Sequence, residues 1–60
     1  MSLVFRKTSP GVFDVIYKGA VVGRVWKGVV GWSAESLDKP RRTAFDRSRQ
    51  NAALAILLAR

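Results

Sequence analysis

The residues from Val12 to Ala34, VFDVIYKGAVVGRVWKGVVGWSA, leave this chain few choices of fold. Two Lys-Gly pairs, Lys18-Gly19 and Lys27-Gly28, divide the stretch into three runs rich in Val, Ile, Phe, Tyr and Trp. Those side chains suit a pleated, half-buried surface. Glycine supplies the positive φ that a tight hairpin needs. The pattern predicts three antiparallel strands joined by two short turns.

Charge then sets the register. Asp14 avoids a core, which puts Phe13, Val15 and Tyr17 on the inner face by the period of two. A three-residue loop, Lys18-Gly19-Ala20, pairs Tyr17 with Val21, Val15 with Gly23 and Phe13 with Val25, and sets Asp14 opposite Arg24. A two-residue loop would turn Arg24 inward, which costs more than it gains. At Lys27-Gly28 a two-residue hairpin pairs Trp26 with Val29, Val25 with Val30, and Gly23 with an overlying Trp32. The expected inner face is Phe13, Val15, Tyr17, Val21, Val25, Val30, Trp32 and Ala34.

Leu3 to Lys7 reads as a further edge strand, turned into Val12 by Thr8-Ser9-Pro10-Gly11. Residues 35–45 read as a polar, basic loop around Pro40. A helix is expected from about Arg47 to Ala59, with Asp46 or Ser48 as N-cap and Thr43 as an earlier candidate. Its stripe would be Gln50, Ala53, Leu54 and Leu57, with Ile56 and Leu58 flanking. Together these predict one α+β domain over residues 1–60. It is a three- to four-stranded antiparallel meander with one C-terminal helix packed on one face.

Composition narrows the function. Eleven Lys/Arg against four Asp/Glu give a formal charge of +7, which favours polyanions such as nucleic acid. The chain has no Cys and no His, so disulfides, Cys/His zinc sites and the usual acid-base or nucleophile sets are missing. Asp14, Glu35, Asp38 and Asp46 show no paired spacing, and no Gly-rich phosphate motif appears. The expectation is a non-enzyme with no cofactor and no metal. The apolar run Ala52–Ala59 is far short of the roughly 20 residues of a membrane span, and no signal peptide is visible, so a cytoplasmic protein is expected. A domain this small buries only about 60% of its unfolded surface, which makes a homodimer or a larger partner a reasonable expectation.

Two surfaces stand out. The outer sheet face would carry Val12, Asp14, Ile16, Val22, Arg24, Trp26, Val29 and Ser33. Its apolar members Val12, Ile16, Val22, Trp26 and Val29 form a candidate face for a dimer or a host protein. The second surface gathers Arg41, Arg42, Arg47 and Arg49 about the helix start, where free amides and the positive dipole end favour phosphate. Arg24, Trp26 and Lys27 are the candidate residues for a nucleic-acid groove.

PGVFDVIYKGAVVGRV followed by RSRQNAALAILL resembles the second half of a double-stranded RNA-binding domain. Gly19-Ala20-Val21-Val22-Gly23 and Arg47-Ser48-Arg49 with Ala52-Ala53 carry that likeness. That family's first helix, which supplies a minor-groove contact, has no counterpart in these residues. The strand–strand–strand–helix order also resembles the arm-type DNA-binding domain of tyrosine integrases and the plant AP2 domain, which lay a sheet in the major groove. That likeness implies that Arg24, Trp26 and Lys27 face a groove, with Arg47 and Arg49 near phosphates. The pattern V-x-G-x-V-W-K with G-W-S-A looks like short proteins of actinobacteria and their phages. The leading expectation is a phage-type nucleic-acid-binding protein, double-stranded DNA ahead of RNA. The other is a phage modulator of a host protein, or a homodimer, using the apolar outer face.

Overall fold

The computed structural model describes residues 3–37 and 41–58. Its elements are β1 (Leu3–Ser9), β2 (Val12–Tyr17), β3 (Ala20–Lys27), β4 (Trp32–Ser36), β5 (Thr43–Asp46) and α1 (Arg49–Leu58). The strands form one open antiparallel meander in the order β1-β2-β3-β4-β5. The helix packs on β3, β4 and β5. The fold class is the expected one, with a fifth strand added.

The β2–β3 hairpin keeps the expected core register: Phe13 opposite Val25, Asp14 opposite Arg24 and Val15 opposite Gly23. Its turn is nevertheless two residues long. Lys18 and Gly19 both take positive φ, 52° and 79°, as a type I′ turn requires. A bulge between Val15 and Ile16 reconciles the two, since Ile16 pairs with Val21 and leaves Val22 as the extra residue. Val21 is therefore exposed opposite Ile16, whereas Val22 packs against the core. This exchanges the roles the simple alternation assigned to them.

The β3–β4 connection is also corrected. Val25 pairs with Ala34 rather than Val30, and the turn is the loop 28–31, closed by Gly28 N–H donating to Gly31 O at 2.7 Å. Val29 lies on that loop fully exposed, and Val30 is exposed beside it, so neither belongs to a sheet face. The slide is an even number of residues, so Trp32 and Ala34 stay on the inner face. Gly23 is covered by Ile56 rather than Trp32. A β-carbon built at Gly23 would lie 2.5 Å from Ile56 Cδ1 and 2.6 Å from the Glu35 carbonyl oxygen.

Residues 35–45 are not one loop. Glu35 and Ser36 complete β4, and Thr43–Asp46 form β5 along it. Ser36, buried, holds the connection at its base. Its N–H donates to Arg42 O at 2.8 Å, and its Oγ accepts from Arg42 N–H at 2.9 Å. Residues 38–40 of the expected loop lie outside the described residues.

The helix begins at Arg49, two residues later than expected, and the expected end at Ala59 lies outside the described residues. Ser48 is the cap: its Oγ accepts from Asn51 N–H at 3.3 Å. Asp46 Oδ1 in turn accepts from Ser48 N–H at 3.0 Å, which fixes the chain as it leaves β5. The buried helical residues are Ala52, Ala53, Ile56 and Leu57, a stripe rotated from the expected one, with Gln50 exposed and Leu54 half-buried. The two alanines let the helix approach the sheet closely. They meet Val15, Val25 and Ala34 to form the core.

Candidate nucleic-acid and partner surfaces

Opposed residues of neighbouring strands share a face, so the ladder divides the outer sheet surface into three rows. The middle row runs Arg6, Asp14, Arg24, Glu35, Thr43 from β1 to β5. On one side lie Val4, Ile16 and Val21. On the other lie Ser9, Val12, Trp26, Ser33 and Phe45.

The middle row is internally paired. Arg6 Nη2 lies 3.0 Å from Asp14 Oδ2, Arg24 Nε 3.5 Å from Asp14 Oδ1, and Arg41 Nη1 3.6 Å from Glu35 Oε1. Asp14 is only 8% exposed although it faces away from the helix, because arginines from both neighbouring strands close over it. The expected Asp14–Arg24 pair is present, and Arg6 joins it. Three cations thus meet two acids, and the outer face stays near neutral. Trp26, 37% exposed, and Phe45, 56% exposed, stand on this face two strands apart with Ser33 between them. Of the residues expected there, Val12 and Ile16 are half-buried on it, while Val22 and Val29 lie elsewhere.

The arginines expected around the helix start separate. Arg41 reaches Glu35 on the outer face. Arg42 donates from Nε to the Ile56 carbonyl oxygen at 3.4 Å, near the far end of the helix. All four residues of β5 lie between this pair and Arg47. They are apart because residues 43–46 are extended rather than looped.

Arg49 has a packing role. Its guanidinium carbon lies 4.3 Å from the Phe5 ring centroid, 4.9 Å from Phe13 and 5.9 Å from Trp32. Phe13 and Trp32 are themselves a tilted pair with centroids 5.9 Å apart. The helix start therefore covers the aromatic edge of the core with a cation over π faces, an arrangement worth about 2 kcal/mol where partly desolvated. Sequence spacing gave no sign of it, since Phe5, Phe13, Trp32 and Arg49 come from four elements.

Lys27 belongs with this edge and not with Arg24 and Trp26. It lies opposite Trp32 on the inner side of β3, while Lys7 lies opposite Phe13 on the inner side of β1. Arg47 is exposed just before the capping Ser48. Among the described residues, Lys7, Lys27 and Arg47 have no carboxylate partner, and the three ion pairs between described residues all lie on the outer face. The register thus places Lys7 and Lys27 beside the rings that Arg49 covers, with Arg47 at the helix start. Among the described residues, the one acid on this helix-start edge is Asp46, opposite Trp32, whose Oδ1 accepts from Ser48 N–H. Lys7 was readable only as an edge-strand charge; the register with Phe13 brings it here.

No group of three or more His, Cys, Asp or Glu among the described residues could hold a metal ion. None of their helices is long and apolar enough to cross a membrane. No protein-family model, curated protein or solved structure matches the chain.

Proposed function

We propose that this is a small non-catalytic nucleic-acid-binding protein, taking double-stranded DNA ahead of RNA, and that its helix-start edge carries the phosphate contacts. The supporting observation is the distribution of charge. The outer face neutralises most of its own cations, while Lys7, Lys27 and Arg47 meet no acid among the described residues. Cations without carboxylate partners can exchange condensed counterions on a duplex for phosphates at little internal cost. Arg47 stands beside the free amides of a helix N-terminus, which adds to the local positive potential. Arg49 holds the edge in shape through its aromatic contacts and presents what remains of its guanidinium.

In this reading Arg24 and Trp26 contribute little to DNA binding, and the sheet does not enter a groove face-on. The test replaces Lys27 and Arg47 together by alanine and compares that variant with Arg24→Ala on a random-sequence duplex. Loss of two phosphate contacts lowers the slope of log K against log salt by about 2. The double variant should show that change, and Arg24→Ala should leave the slope as in the parent. Unchanged binding in the double variant, or equal loss in both, overturns the assignment.

A further inference from the structure

We propose that the outer sheet face is the contact between two copies of this chain, stacked sheet on sheet about a two-fold axis that runs parallel to the strands between β2 and β3. The charge row selects both the occupant and the axis. Across β1 to β4 it alternates in sign: Arg6, Asp14, Arg24, Glu35. That alternation is complementary to itself under this axis, which lays β1 over the partner's β4 and β2 over the partner's β3. Arg6 then faces the partner's Glu35, and Arg24 comes over the partner's Asp14, which lies beneath that chain's own Arg6 and Arg24. A two-fold axis lying across the strands along this row would set Asp14 on the partner's Asp14 and Arg6 on the partner's Arg6, which like-charge repulsion forbids.

The flanking rows obey the same operation. Ile16 meets the partner's Val21, and Val12 meets the partner's Trp26, so apolar surface covers apolar surface on both sides of the charges. Every acid in the row already has a cation within its own chain, so closing the face desolvates pairs rather than single ions. Face-to-face sheets stand about 10 Å apart with strands nearly aligned, a spacing these side chains fill from both sides. The molecule measures 27 × 20 × 20 Å, so a face projects roughly 400–500 Å² and a dimer buries about 800–1,000 Å² in total, the size of a weak, transient interface. Contacts of this size are weak, so the expected dissociation constant is on the order of 100 μM, and the dimer is isologous, as a two-fold contact must be.

Sedimentation equilibrium on the full chain tests the occupant. The expected result is a mass approaching twice 6.6 kDa at high protein concentration, falling to the single-chain value on dilution. The Ile16→Lys variant, checked for native circular dichroism, should stay at the single-chain mass throughout. A parent protein that remains single at about 1 mM, well above that dissociation constant, overturns the proposal. So does a folded Ile16→Lys variant that still dimerises.

Cross-linking tests the axis without disturbing the core, because the chain has no native cysteine. Ser9 and Ser33 are at opposite sides of one row, and the two-fold sets Ser9 near the partner's Ser33. A short bismaleimide should join a mixture of the Ser9→Cys and Ser33→Cys variants much faster than it joins either variant alone. Equal yields in the three samples, or preferential joining of one variant to itself, contradict this arrangement.

Discussion

The two faces of this sheet carry similar numbers of charged residues and treat them in opposite ways. On the outer face, Arg6 and Arg24 close over Asp14, and Arg41 reaches Glu35. On the inner side, beside the helix start, Arg49 lies over aromatic rings and Lys7, Lys27 and Arg47 meet no carboxylate among the described residues. Total charge therefore says little about where a polyanion would bind. Among the described residues, the helix-start edge holds four cations to one acid, Asp46, whose carboxylate accepts from Ser48 N–H, whereas the outer face holds three cations to two acids that pair with them. The paired face is free to be apolar on either side of its charge row, which suits a protein contact.

The sharpest way to break this contrast is to delete one side chain from each face. Ile56 is buried against Gly23, so Ile56→Ala should cost about 2–5 kcal/mol in urea unfolding. Trp26→Ser, measured at low micromolar concentration where the chain is single, should cost far less, within about 1 kcal/mol. Equal costs would mean that the outer face is itself part of the core. Next in size is Gly23→Ala. The added carbon meets the Glu35 carbonyl oxygen, a backbone atom that cannot swing aside, so unfolding should be easier by about 1–3 kcal/mol.

Arg49 and Arg47 sharpen the contrast within the helix-start edge. Arg49→Ala removes the cation from Phe5 and Phe13 and should destabilise by about 1–2 kcal/mol, with Arg49→Lys recovering part of the loss. Arg47→Ala should change stability by no more than about 0.5 kcal/mol while weakening DNA binding. Thermal unfolding and binding to the same duplex separate the two effects. If Arg49→Ala lowers DNA affinity with no change in stability, its aromatic contacts are incidental. The smallest effect belongs to Arg24→Ala, whose side chain is over half exposed. It should cost below about 1 kcal/mol, and less still in high salt.

Much of this architecture was legible in the sequence because parity survives many errors of detail. Trp32 and Ala34 fall on the inner face although their expected partners on β3 were misplaced, since the slide was even. Asp14 opposite Arg24 followed from charge alone. A single bulge defeats parity locally: Val21 and Val22 exchange faces because the strand gains one residue between the hairpin turn and Gly23. Nothing in two adjacent valines announces that. β5 was illegible for a different reason. Only four residues long, it points its one large apolar side chain, Phe45, outward over Gly31, and gives the core only the small Ala44. Thr-Ala-Phe-Asp beside Pro40 and two arginines reads as a loop. Missing β5 is what made Arg41, Arg42, Arg47 and Arg49 look like one cluster. Arg47 was legible as a helix-start cation, whereas the company of Lys7 and Lys27 depends on cross-strand pairings to Phe13 and Trp32 that composition does not encode.

The most direct test of the central claim is a salt titration of binding to a random-sequence DNA duplex, with double-stranded RNA in parallel. A footprint of about four phosphates, one for each of Lys7, Lys27, Arg47 and Arg49, should lose roughly a hundredfold in affinity between 50 and 200 mM salt, with DNA bound more tightly than RNA. No binding at 50 mM salt, or binding indifferent to salt, would contradict the assignment of the helix-start edge to nucleic acid.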